Sequence, residues 1–349
     1  MMKQNFGFDD DWLSGAVKGW HPIVNWLIGY TPEFTSELLL DFARKLKTLE
    51  AVEGFDNMLG RIQKTEEYDG AIGEFKLASR FVMKGYEIEL SPEVGSRHAD
   101  IKVKMPFDNV YFEVKSLGES KAESKSREIQ EWGYSLASNV GVNIYGKVHV
   151  ELGAEQKEGL GTRIKAAAQN VKQSGVPKEV IEDKVMTVLL TPLGYNPAER
   201  CLQEWLIDKK LPAIGFLGPD FDLKENNFYR LMRVFSKNRN QLPQDYPGIK
   251  IIYAPTIYMM GMNNFPPEIV GPFEKELHEQ PNLLAGGIVY YYSLLRKPTN
   301  QDKEIRKSNY VRLKQTFFNQ IHEDTILVKN RCSKFKIPVQ PEEFFKKPS

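Results

Sequence analysis

The chain has 349 residues, 41% of them hydrophobic and 27% charged, with a formal net charge of +1. That length and apolar content suffice for a sizeable core in one large or two smaller domains, and no apolar run reaches the length of a bilayer span. Near-neutral charge excludes a uniformly basic polyanion binder, so any field for nucleic acid must be local. Met1 to Trp12 carries no apolar signal stretch, and the expected location is the cytoplasm. Cys201 and Cys332 are far apart and lack metal-ligand spacing. They are expected to be buried small residues, neither a zinc site nor a disulfide framework.

Trp12, Trp20 and Trp26 precede Thr31-Pro32-Glu33, a capped helix start with proline in the first turn. Phe34, Leu38, Leu39, Phe42 and Leu46 give that helix an apolar stripe, and a second helix is predicted from Phe55 to Lys64. The tryptophans are read as core or interface residues in preference to base-stacking ones. In DGAIGEFKLASRFVMKG, Asp69 is an expected N-cap, Ile72, Phe75, Ala78 and Val82 recur at helical spacing, and Gly85 is a stop. This puts Glu74 in the first turn or two. Tyr86 to Leu90 then alternates as a strand.

The most informative stretch follows, HADIKV and NVYFEVKS, as a hairpin turning at Pro106 to Asn109. Strand side chains alternate faces. Ile101, Val103 and Met105 therefore share an apolar face with Val110, Phe112 and Val114, and Asp100 and Lys102 share the other with Glu113 and Lys115. A one-residue slip would bury the charges, so the pattern fixes which face is which. Two carboxylates and an ammonium gathered in this way suit phosphodiester hydrolysis. The reaction needs a nucleophilic water and neutralised oxygens, which a divalent ion supplies, and Mg²⁺ takes few carboxylates while keeping several waters.

Glu74, Asp100 in HADIKV, and Glu113-Val114-Lys115 in YFEVKS together resemble the PD-(D/E)xK nuclease superfamily, with Ala99 standing where the family name has proline. The resemblance implies an α/β, restriction-endonuclease-like fold whose core runs α-β-β-β-α-β. It also implies a Mg²⁺-dependent nuclease, with Mn²⁺ able to substitute. Asp100 and Glu113 would be metal ligands, the Val114 carbonyl a third, Lys115 a catalytic residue, and Glu74 an accessory one. The expected partner is nucleic acid, in the first instance DNA, with no membrane partner. A homodimer or protein contact would use the N- or C-terminal segments. The alternative is a module that keeps this fold and binds nucleic acid or protein without cleaving it.

Beyond Lys115, Lys121, Lys125 and Arg127 are basic candidates for phosphate, as are Arg163, Lys165 and Lys172. Ser124 to Asn139 is a predicted helix containing Gln130 and Tyr134, a Q-x-x-x-Y pair similar to an accessory motif of RecB-type members. A hairpin about Gly146 follows, then a helix from Thr162 to Ser174 and the apolar strand Val185 to Thr191. That last pair would complete the core; otherwise helix 124–139 is the crossover. Further strands are predicted at Pro212 to Leu217, Ile249 to Ala254 and Gly287 to Leu294, with Ala198 to Lys209 and Lys303 to Gln320 as helices. Tyr290, Tyr291 and Tyr292 are expected in a half-buried strand, and Gln340 to Ser349 as a polar, mobile tail. The expected organisation is a helical segment 1–66, a nuclease-like core 67–192, and an α/β extension 193–349.

His98, two residues before Asp100, is the one histidine close enough in sequence to touch a phosphate or water. No phosphate-cradling G-x-x-x-x-G-K-[ST] loop and no nucleophile elbow occur.

Overall fold

The computed structural model describes residues 6–18, 21–24, 32–117, 121–182, 184–195, 200–209, 211, 216–219, 223–237, 241–254, 270–293, 303–317 and 321–347. Trp20, Trp26, Asp220 and the 263–267 loop lie outside them. The chain forms two compact units, Met1–Gly118 with Asn226–Ser349, and Glu119–Glu225. This division departs from three successive segments, because the second unit is inserted between two strands of the first.

The first unit opens with helices α1 (Asp10–Lys18), α2 (Pro32–Leu49), α3 (Phe55–Gln63) and α4 (Thr65–Met83). Strands β1 (Glu87–Leu90), β2 (Glu93–Val94), β3 (Arg97–His98), β4 (Ile101–Lys104) and β5 (Val110–Ser116) follow. The inserted unit holds α5 (Lys121–Ser138), β6 (Val142–Val148), α6 (Ala154–Ser174), β7 (Lys178–Glu182), β8 (Met186–Pro192), α7 (Arg200–Asp208) and β9 (Phe216–Leu217). Helix α8 (Leu223–Ser236) leads back to β10 (Gly248–Ala254), α9 (Val270–His278) and β11 (Leu283–Ser293). Three more strands, β12 (Lys303–Arg306), β13 (Tyr310–Phe317) and β14 (Ile321–Lys329), precede a 3-10 turn at Pro341–Phe345. The protein is thus mixed α/β.

The large sheet runs β1-β4-β5-β10-β11-β14-β13-β12. β10 is parallel to both β5 and β11, and the remaining neighbours are antiparallel. Each face is covered. α4 packs on one through Phe75, Ala78 and Phe81 against Ile101, Phe112, Val114 and Ile251. On the other, α8 and α9 bring Leu231, Phe235, Phe273 and Leu277 against Tyr111, Ile252 and Ile288. Gly73 permits the close approach of α4, since a Cβ there would lie 2.8 Å from the Tyr253 side chain.

The strand alongside β5 is β10, where the apolar pattern pointed to residues 185–191. β8 instead pairs with β6 and β7 in the four-stranded sheet β7-β8-β6-β9, whose core joins Val188 and Leu190 to Ile164, Ala168 and Val171 of α6. A continuously apolar strand reports cover on both sides and says nothing about which sheet provides it. Among the elements that form and cover the large sheet, α4, β1, β4 and β5 are followed by α8 and β10; α5 and α6 pack in the core of the inserted unit, so neither is the crossover.

Other expectations need correction. α4 begins at Thr65, so Asp69 lies inside it and Glu74 sits in its third turn; Thr65-Glu66-Glu67 continues a helical pattern that the Asp69 signal interrupted. α6 starts at Ala154, two turns before Thr162. Gly146 is no turn but a mid-strand residue of β6 with φ 127°, where a Cβ would lie 2.1 Å from the Thr187 carbonyl oxygen. Glycine inside a strand marks such close approach. Residues 303–317 form β12 and β13, not a helix, because Val311 and Leu313 alternate into the core with Arg312 on the opposite side. The tail is anchored: Phe344 and Phe345 are fully buried, and Phe344 packs on Phe81 and Phe112. Cys332 is exposed. Tyr290, Tyr291 and Tyr292 lie in β11, with side chains outside the described set. Among the described residues, no helix is long and apolar enough to cross a membrane.

Candidate active site

The β4–β5 hairpin pairs Ile101 with Phe112, Lys102 with Tyr111 and Val103 with Val110. A turn tightly closed at Pro106 to Asn109 would shift the pairing by two residues, but an even shift leaves every side chain on its face. Ile101, Val103, Val110, Phe112 and Val114 are all buried on the α4 side. Asp100 stands just before β4, its N–H donating to the Phe112 carbonyl at 2.9 Å. Its Oδ2 accepts from the Val114 N–H at 2.6 Å, so a side chain replaces the strand partner where β4 begins.

This arrangement brings Asp100 and Glu113 to one ammonium. Lys115 Nζ lies 3.6 Å from Asp100 Oδ2 and 3.7 Å from Glu113 Oε1. Lys115 is partly open to solvent, whereas Glu113 is 1% exposed. Glu113 Oε1 accepts no hydrogen bond from the described residues, and neither does the buried Ser116 Oγ three residues on. Glu74 is also buried, gripped by Arg61 of α3 through two bonds of 2.7 and 2.9 Å. Paired N–H donors of this kind fix a carboxylate's orientation.

Burial dominates the electrostatics. It raises the pKa of Glu74 to about 7, helped by the Asp100 charge and opposed by Arg61. Asp100 is raised by burial against the pull of Lys115 and the Val114 N–H, and Glu113 by burial against Lys250 and Lys115. Arg61 is held more firmly protonated by its bonds to Glu74. Asp100 and Glu113, which carry charge reluctantly, would gain from a cation beside them.

Two residues of this environment are invisible to the hairpin motif. Lys250 of β10 reaches Glu113 Oε2 at 3.4 Å while fully buried. A lysine in the middle of the apolar run GIKIIYA was the available signal. Arg61 carried none, since a single arginine on a helix is ordinary. His98 sits on the exposed β2–β3 hairpin with Nδ1 3.9 Å from Glu93. In the second unit, the Tyr134 hydroxyl accepts from the Phe216 N–H at 3.0 Å, Lys125 pairs with Glu151 and Arg163 with Glu182. Lys165 and Lys172 are exposed there, and the side chains of Lys121 and Arg127 lie outside the described residues.

Among the described residues, no group of three or more His, Cys, Asp or Glu side chains is arranged to hold a metal ion. Two carboxylates with an unclaimed buried oxygen are too few for a zinc or calcium cage but fit Mg²⁺, which binds through one or two carboxylates and keeps its waters. Compared with known proteins, the chain matches no family model, no curated protein and no solved structure.

Proposed function

We propose that the protein is a Mg²⁺-dependent nuclease of the PD-(D/E)xK type that hydrolyses phosphodiester bonds in DNA. The observation that carries this reading is the convergence of Asp100 and Glu113 on Lys115 at the divergent end of the hairpin. The order α4, β1, β4, β5, α8, β10 supports it, being similar to the α-β-β-β-α-β core of that superfamily.

Asp100 and Glu113, with the Val114 carbonyl, would hold Mg²⁺, or Mn²⁺ in its place. When bound, the cation neutralises phosphate charge and acidifies water. Lys115, partly open to solvent, then serves the attacking water or the charge that develops on the phosphoryl oxygens. Glu74, held by Arg61 through two hydrogen bonds, would orient a water in this reading.

The test is incubation of the purified protein with linear, circular and branched DNA and with RNA, with and without Mg²⁺ or Mn²⁺. Metal-dependent DNA cleavage should fall by about 10³-fold or more in Asp100→Ala and Lys115→Ala. Cleavage that persists in both variants would remove this site from the reaction. Binding of nucleic acid without cleavage under any metal would favour the non-cleaving module.

A further inference from the structure

Lys250 occupies a position that a packed core would ordinarily give to an aliphatic side chain. All seven residues of β10 are buried, and Lys250 itself is 0% exposed. Removing an ammonium from water costs several kcal/mol unless its surroundings compensate. Here the compensation is specific. Nζ donates to the Lys237 carbonyl at 2.7 Å, at the C-terminal end of α8 where the helix dipole favours a cation. It also lies 5.6 Å from the centre of the Phe235 ring. The third contact is Glu113 Oε2 at 3.4 Å.

The register makes that contact a fixed one. β5 and β10 are parallel, and Lys250 is the Cα partner of Glu113, so the two side chains leave adjacent strands on the same face. Glu113 is thereby divided between two ammonium groups, with Oε2 turned inward to Lys250 and Oε1 toward Lys115 without a hydrogen bond from the described residues. A carboxylate free to rotate about its last bond could offer either oxygen, or both.

We propose that Lys250 is a positioning residue for Glu113: it claims Oε2 and so makes Glu113 a one-oxygen ligand, through Oε1, for the divalent cation. This rests on the metal-dependent reading of the site. Charge alone predicts the opposite of positioning. A lysine that merely neighbours a cation repels it, so its removal should tighten metal binding, whereas loss of a group that aims a ligand loosens it.

The experiment measures Mn²⁺ binding by electron paramagnetic resonance in the full chain without substrate, alongside thermal melts of the metal-free protein. The proteins are wild type, Lys250→Met, Glu113→Gln, Asp100→Ala and the Lys250→Met/Glu113→Gln pair. Lys250→Met should weaken Mn²⁺ binding roughly tenfold or more, and should add less than about twofold once Glu113 is already Gln. Its melting temperature should drop further in the wild-type background than in Glu113→Gln, where no buried carboxylate is stranded; the neutral pair also keeps the cycle usable if Lys250→Met folds poorly. Binding unchanged or tightened in Lys250→Met, or an equal loss in both backgrounds, overturns the positioning role and leaves the nuclease reading intact. Wild type that binds no Mn²⁺ dependent on Asp100 overturns both.

Discussion

Two of the buried-charge clusters of the large sheet are built in opposite ways. At the C-terminal end, Glu323 receives Arg80 on both oxygens, with Gln315 and Thr325 also donating to Oε1. Arg80 and Gln315 further donate to the Phe345 carbonyl, at 2.9 Å each. At the candidate site the lysine contacts of Asp100 and Glu113 are 3.4 to 3.7 Å long, and Glu113 Oε1 takes no hydrogen bond from the described residues. Buried ions are costly in either place. The first cluster spends them on closing the fold over the tail, and saturation is what that task requires. The second leaves a buried acceptor without a donor among the described residues, the feature on which the proposed cation site rests.

The sharpest way to break this contrast is to remove one partner from the saturated cluster. Arg80→Met strands a buried Glu323 carboxylate and should destabilise the protein by about 3–5 kcal/mol in denaturant unfolding; a loss below about 1 kcal/mol would mean the cluster is not what closes the fold. Phe344→Ala, which empties the space behind Phe81 and Phe112, should cost a similar ~3–5 kcal/mol.

A pH series addresses the other cluster. Glu74 has its pKa raised from 4.5 to about 7 by burial, so the folded state holds a proton that the unfolded state releases. Its contribution is therefore full below about 4.5 and is lost as pH rises through about 7. In metal-free protein, Glu74→Gln should remove up to about 3 kcal/mol of that decline, as read from urea midpoints across the window. An unaltered decline would place the burden on Asp100 and Glu113. The smallest effect is expected at the open edge of the site, where Lys115→Met should change stability by less than about 1 kcal/mol. A large loss there would make Lys115 part of the closing framework and erase the contrast between the clusters.

How much of this was legible in the sequence follows from the range of each signal. The hairpin could be read because alternation is local, and its faces survive an error of two residues in the turn. α2, α3 and β10 were recovered for the same reason. The partner of β5 could not be read, since β8 and β10 are both apolar strands and only tertiary packing distinguishes them. Residues 303–317 were mistaken for a helix where charged residues interrupt a short alternation, as strand β13 shows with Arg312 answering Asp324 across the sheet. The tail was misread by composition: Glu342 is fully buried against Arg306 and Lys329, partners more than ten residues away. At the site, Glu74, Asp100, Glu113 and Lys115 came from a pattern of types and spacing, while Arg61 and Lys250 belong to it only through the fold.

The insertion of residues 119–225 between β5 and β10 also sets an order of events during synthesis. Asp100, Glu113 and Lys115 leave the ribosome early and close together, within one hairpin of the folded protein. Lys250 emerges only after the whole inserted unit, and Phe344, which backs Phe112, comes later still. Distant contacts of this kind form late. A nascent chain, or one cut short before β10, therefore carries the acidic pair and its lysine without the supports beneath them.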